Sequence, residues 1–80
     1  MERKEIFEKT KELIVDYLRV EESEVMLDTN IVDDLCADSI ALVELGFRFS
    51  ETFSVPMVEA REELFVMNNL VDFLYDEVNK

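Results

Sequence analysis

The chain of 80 residues contains no histidine and no tryptophan, and only one glycine, one proline and one cysteine. The missing histidine removes the commonest general base, so no constellation of nucleophile, base and orienting group can be assembled and an independent enzyme is not expected. It also removes any Cys/His cluster at zinc spacing. Cys36 has no second cysteine to pair with, so a reducing compartment is expected. With nothing to activate it, Cys36 is expected to be a small buried or half-buried thiol, not a nucleophile. Sparse glycine and proline leave no flexible linker or low-complexity stretch. Uninterrupted apolar stretches fall far short of the roughly 20 residues a bilayer span needs, and Met1-Glu-Arg-Lys-Glu-Ile-Phe has no apolar core of a signal peptide. These absences predict a single domain over residues 1–80, cytoplasmic, monomeric and without a membrane partner.

Positive charge is scarce, and unevenly so. The formal charge is -12. Residues 1–20 balance Arg3, Lys4, Lys9, Lys11 and Arg19 against Glu2, Glu5, Glu8, Glu12 and Asp16, whereas residues 21–80 set fifteen acids against only Arg48, Arg61 and Lys80. A field of that sign repels nucleic acid and anionic lipid and steers basic protein surfaces toward it. Solubility alone would also be served by such acidity.

What is present is helical period. Ile6, Phe7, Leu13, Ile14, Tyr17 and Leu18 recur at three- and four-residue steps and predict a first helix from about Glu2 to Leu18. From Arg19 to Asp38 the apolar residues Val25, Leu27, Ile31 and Leu35 are irregular, which predicts a long loop pinned to the core by single hydrophobes. The stretch Asp28-Thr-Asn30-Ile-Val-Asp33 touches the pattern of a calcium loop, but position six is Asp33 instead of glycine and position twelve is Ser39 instead of glutamate. A second helix begins at Asp38 or Ser39, either of which can cap it, and runs to about Phe53. Its apolar residues cover more than one stripe. Leu45, Phe49 and Phe53 read as core, while Ile40, Val43, Glu44, Phe47 and Glu51 share another side as an apolar strip with acidic flanks. Gly46 inside this helix costs about 1 kcal/mol relative to alanine, with no compensation visible in the sequence. Pro56 ends the pattern and extends Val55. Glu59 to Glu63 is expected as a short third helix, and Met67, Leu70, Val71, Leu74 and Val78 form the stripe of the last. Nothing between Glu63 and Asn68 caps a helix, so these two could be continuous or joined by a tight bend. The fold predicted is all-α: a small bundle of three main helices and one short helix, with a long first loop.

The segment Asp33-Asp34-Leu35-Cys36-Ala37-Asp38-Ser39-Ile40 resembles the prosthetic-group site of the acyl carrier protein family, in which an acidic pair precedes Leu-Gly-Ala-Asp-Ser-Leu at the start of the second of four helices. The resemblance extends over nearly the whole chain. Val43-Glu44-Leu45 follows Ser39 at the family's spacing, Phe53 and Val55-Pro56 stand where the family ends its second helix, and Val71-Asp72-Phe73-Leu74 is similar to its last. It implies that Ser39 carries 4′-phosphopantetheine, attached when a phosphopantetheinyl transferase supplies the base and metal ion for attack of the serine hydroxyl on coenzyme A. It further implies that Asp38 contacts that transferase or its metal. The side of the second helix holding Ile40, Val43, Glu44, Phe47 and Glu51 would dock on basic patches of acyl synthases, reductases or acyltransferases. The product phosphodiester would lie near a helix N-terminus, where free amides and the dipole favour negative charge.

The chain departs from the family at Cys36, which replaces a glycine, and at Arg48, Arg61 and Met57-Val58, which stand where small or acidic residues are usual. With Gly46, Phe47 and Phe49 these changes could reshape the partner surface and the apolar cavity for acyl chains, and they point to a specialised carrier instead of the housekeeping one. Two other readings stay open: a peptidyl or aminoacyl carrier of the same chemistry, and an unmodified acidic interaction module in which Ser39 only caps its helix.

Overall fold

A computed structural model describes residues 1–56, 58–59 and 61–80; expectations that touch Met57 and Ala60 lie outside the described residues. Three α-helices run in chain order, α1 (Arg3–Leu18), α2 (Ser39–Phe53) and α3 (Met67–Val78), with short 3-10 turns at Glu22–Glu24 and Glu62–Phe65. Pairing between extended segments is confined, among the described residues, to one antiparallel bridge between Asn30 and Val66.

The helices pack as their periodicity predicts. In α1 the innermost residues are Ile6, Thr10 and Ile14, spaced four apart on one face, with Phe7, Leu13, Tyr17 and Leu18 half-buried at its margins. Helix α2 buries Ala41, Leu45, Gly46, Phe49 and Phe53, so the expected core residues are core. Helix α3 buries Met67, Leu70, Val71 and Leu74, while Val78 is half-buried. Helix α1 packs against both α2 and α3. It is tied to α3 at its start by Arg3, which donates to Asp72 Oδ1 at 2.8 Å and to the Asn68 carbonyl at 3.3 Å.

The loop between α1 and α2 is anchored at fewer points than expected. Val25 and Ile31 are fully buried, but Leu27 is 42% exposed and Leu35 only half-buried. Polar groups do the rest. Buried Thr29 donates to the Glu24 carbonyl and accepts the Met26 amide, at 3.0 and 2.9 Å. Asn30 Oδ1 accepts the amides of Val32 and Asp33, an Asx turn.

The short third helix is displaced from its expected span. It is a 3-10 turn over Glu62–Phe65, with Arg61 already extended at φ -97° and ψ 142°. It is separate from α3: Val66 is extended (φ -83°, ψ 126°) and gives α3 no side-chain cap. The cap comes from the distant loop. The amides of Met67 and Asn68 donate to the carbonyls of Thr29 and Leu27, each at 2.8 Å, and Ile31 N–H donates to the Phe65 carbonyl at 2.8 Å.

Local costs fall on Thr10 and on three left-handed non-glycine residues, Arg19 and Ser54 at helix ends and Cys36 in the loop. Thr10 is fully buried, and its hydroxyl has no hydrogen-bond partner among the described residues. Cys36 has φ +59°, a left-handed conformation that costs a non-glycine residue about 1 kcal/mol. The thiol is exposed, against the expectation of a buried one, because the residue serves a backbone reversal and its side chain is turned outward. Thr10→Val keeps the shape and β-branching while removing an unpaired hydroxyl, so it should stabilise the fold by about 1 kcal/mol. In thermal denaturation that is a rise in Tm of roughly 4–8 °C. Cys36→Gly should likewise raise Tm by a few degrees, less than the full ~1 kcal/mol of strain because glycine also loosens the unfolded chain. A fall in Tm for either variant would show that the group removed is satisfied or unstrained in solution.

Candidate functional site

The approach to α2 is set by a reversal of the backbone. Cys36 N–H donates to the Val32 carbonyl at 3.1 Å, inside a wider bond from Ala37 N–H to the Ile31 carbonyl at 3.0 Å. This nested pair is the arrangement that closes many helix ends around a left-handed residue, here opened by one residue. Ile31 and Ala37 are both buried, so the reversal is pinned at each end and delivers the chain to Asp38. The turn itself is tightened by Asp34, whose Oδ2 accepts the Asn30 amide at 2.8 Å while its own amide donates to the Asn30 carbonyl at 2.8 Å.

Asp38 is the N-cap of α2. It is extended (φ -89°, ψ 179°), and its Oδ1 accepts the Ala41 amide at 2.8 Å. The sequence left the cap open between Asp38 and Ser39, and the structure gives it to Asp38 alone. Ser39 is the first helical residue and is exposed. Its hydroxyl is therefore not committed to holding the helix start, and it stands where the helix dipole and unpaired first-turn amides favour an anion.

Beyond Ser39, the residues predicted to share one side of α2 do so. Ile40 is 71% exposed, Val43 45% and Phe47 50%, and Glu44 and Glu51 are exposed beside them. A shallow hollow is lined by Ser39, Ile40, Val43 and Glu44. Large apolar side chains left uncovered with acidic flanks make a surface suited to a partner that is itself apolar and basic.

The opposite side of α2 lines an apolar crevice, bounded by Ile31, Leu42, Leu45, Gly46, Phe49, Val58, Glu59, Leu64, Phe65 and Leu70. It is nearly shut, with about 20 Å³ open to a water-sized sphere. The role of Gly46 is now visible: it is buried on this wall, and a side chain there would fill the crevice. Its cost in helix propensity was the signal available in the sequence. Val58, marked in the sequence only as a departure from the family pattern, is buried in the facing wall, where the return of the chain after Pro56 brings it.

Two basic departures from the family pattern, both exposed, lie over aromatic rings of neighbouring elements. The Arg48 guanidinium lies 5.0 Å from the centre of the Tyr17 ring, and that of Arg61 lies 5.4 Å from the Phe73 ring. Both are cation–π contacts across elements, and Arg61 also pairs with Glu63 at 3.2 Å. Acidic side chains around the loop gather no metal site: no cluster of ligating residues occurs among the described residues. Nor is any helix among them long and apolar enough to cross a membrane.

Comparison with known proteins agrees with this geometry. A family model described as a phosphopantetheine attachment site matches residues 8–65. The acyl carrier protein of Petrotoga mobilis is 44% identical over 80 residues, covering 99% of this chain and 94% of that protein. The acyl carrier protein of Guillardia theta is 37% identical over 79 residues, covering 98% of each. That of Clostridium acetobutylicum is 33% identical over 70 residues, covering 86% of this chain and 91% of the relative. The matched span runs from the middle of α1 through the loop, Ser39 and α2 to the last 3-10 turn, and with it the chain belongs to the acyl carrier protein family, a carrier of covalently bound 4′-phosphopantetheine and not a catalyst.

Proposed function

We propose that Ser39 is the residue that bears the 4′-phosphopantetheine arm, and that the chain presents acyl groups to the enzymes of fatty-acid synthesis or of a related lipid or polyketide pathway. The observation that carries this reading is the division of labour at the start of α2. Asp38 caps the helix through Oδ1, leaving Ser39 exposed with a free hydroxyl, inside the residues that match a phosphopantetheine attachment site. The group fits there. A phosphodiester on Ser39 would meet the amide-rich end of α2, and the second carboxylate oxygen of Asp38 is left for the transferase or its metal. When bound, the arm supplies a thiol that holds an acyl group as a thioester, and the tether raises that group's effective concentration near each enzyme in turn.

The chain's own residues do two further things. Ile40, Val43 and Phe47, with Glu44 and Glu51, form the face on which a basic enzyme surface would dock, and the acidic field would speed that encounter. The crevice behind α2 receives the alkyl chain. Each methylene withdrawn from water is worth about 0.8 kcal/mol, enough for a chain of several methylenes to open a crevice that is nearly shut. An apolar lining of this kind favours acyl groups over aminoacyl groups as cargo. The inward use of Gly46 and Phe49, with the outward Phe47, supports a specialised carrier with its own chain and partner preference.

Incubation with coenzyme A and a broad-specificity phosphopantetheinyl transferase should add one phosphopantetheine by intact mass to the wild type and none to Ser39→Ala. A single addition to Ser39→Ala would move the attachment elsewhere. Glu44→Lys should slow the modification by about tenfold at low salt with helicity by circular dichroism unchanged. Raising salt should narrow the gap, since exposed charges are screened within about 8 Å at physiological ionic strength. Equal rates at low salt would count against an electrostatic docking face.

A further inference from the structure

We propose that Ser50 is a positioning residue that sets how wide the crevice opens, and hence the length of acyl chain the protein shelters. This rests on reading the crevice as the seat of the chain. Ser50 lies in the last turn of α2, half-buried, and its hydroxyl makes three contacts. It lies 3.0 Å from the Gly46 carbonyl and 3.2 Å from the Pro56 carbonyl, and it accepts the Val58 amide at 3.2 Å. A serine has one proton, so donation is shared between the two carbonyls while a lone pair holds Val58.

A helix-terminal serine often bonds back to the carbonyl four residues earlier, and that contact alone would be local. The other two are not. They reach six and eight residues ahead, to the chain that returns after Pro56. Gly46 and Val58 both line the crevice, on α2 and on the returning chain. The hydroxyl therefore joins two of its walls at one point. Before Pro56 the Val55 amide also donates to the Ser50 carbonyl, at 3.1 Å. Beyond it, among the described residues, the Val58 side chain is held by burial against the core, and such packing is not directional. A wall held by packing can slide outward as a chain enters, whereas one held by a hydrogen bond must break it. The clamp thus opposes the widening that longer chains need, and short chains can enter without disturbing it.

The test uses the holo-protein, its loading checked by intact mass, carrying saturated acyl groups from butanoyl to dodecanoyl. The readout is the gain in Tm of each acylated form over the unacylated holo-protein, in wild type, Ser50→Ala and Ser50→Thr. In Ser50→Ala the gain should continue to longer chains, exceeding wild type by about 4 °C at the longest, while the unacylated form melts several degrees lower. Ser50→Thr, which keeps the hydroxyl, should follow wild type. Hydrogen exchange of the Val58 amide in wild type should be slow with short chains and accelerate with long ones, a readout that stands even if Ser50→Ala does not fold. Equal gains in wild type and Ser50→Ala, or Val58 exchange that ignores chain length, would overturn the role of Ser50 alone. A loaded wild type that gains nothing from any acyl group would overturn the crevice as the seat of the chain, and the clamp with it.

Discussion

The amides of Met67 and Asn68 have no partner within α3, and they are met by the carbonyls of Thr29 and Leu27 at 2.8 Å each. A buried amide left unpaired costs about 1–3 kcal/mol, and Met67 is fully buried. The bond from Ile31 to Phe65 and the bridge from Asn30 to Val66 extend the same seam. Much else in the structure follows from it. It starts α3 where no capping side chain exists, it separates α3 from the 3-10 turn before it, and it fixes a loop of twenty residues that has few hydrophobic anchors of its own.

Fixing that loop is what aims the site. Ile31 is held to Phe65 on one side and receives the Ala37 amide on the other, so the reversal at Cys36 starts from a point that cannot drift. Asp38 then emerges in the extended conformation an N-cap requires, and Ser39 takes the first helical position. The same residue, Ile31, is also a wall of the crevice. The exposed serine and the apolar space behind α2 are thus referred to one anchored residue, although they lie on opposite sides of the helix. On the function proposed above, a tether on Ser39 would reach the crevice only if this relation is kept.

How much of this was legible in the sequence depends on the range of the interaction. Helical stripes are local, so α1 and α2 were readable to within a residue, as was the exposed side of α2, and the buried stripe of α3 was readable without its start. The break at Val66 was not, because its cause is a pair of carbonyls about forty residues away. Thr10 hid in the stripe of α1 for a different reason: its spacing of four from Ile6 and Ile14 marks the core face, but a hydroxyl argues against burial. The exposure of Cys36 was missed because a thiol was weighed by its hydrophobicity, when the position is set by a left-handed backbone; the family's glycine there was the available clue. The short helix predicted at Glu59–Glu63 is a 3-10 turn at Glu62–Phe65 for want of a helical period long enough to fix its bounds. Ser50 gave no signal at all, since its partners are defined only once the chain has turned back at Pro56.

Charge patterning is settled by where the few bases point. Arg48 stands four residues after Glu44 and three before Glu51, spacings at which an ion pair forms readily on a helix. Its guanidinium lies instead over Tyr17, joining α2 to α1. Arg61 is engaged by Glu63 and Phe73, and Lys80 by Glu77 at the far end of α3. Exposed ion pairs contribute little to stability, so the consequence of these placements lies in the acids they leave bare. None of the three bases in residues 21–80 pairs, among the described residues, with Asp33, Asp38, Glu44 or Glu51. Self-repulsion among those acids weighs against the compact state, and a base at Arg48 turned toward Glu44 would relieve it. Placing that base over Tyr17 keeps the repulsion and with it an acidic flank beside Ser39 that no base pairs among the described residues.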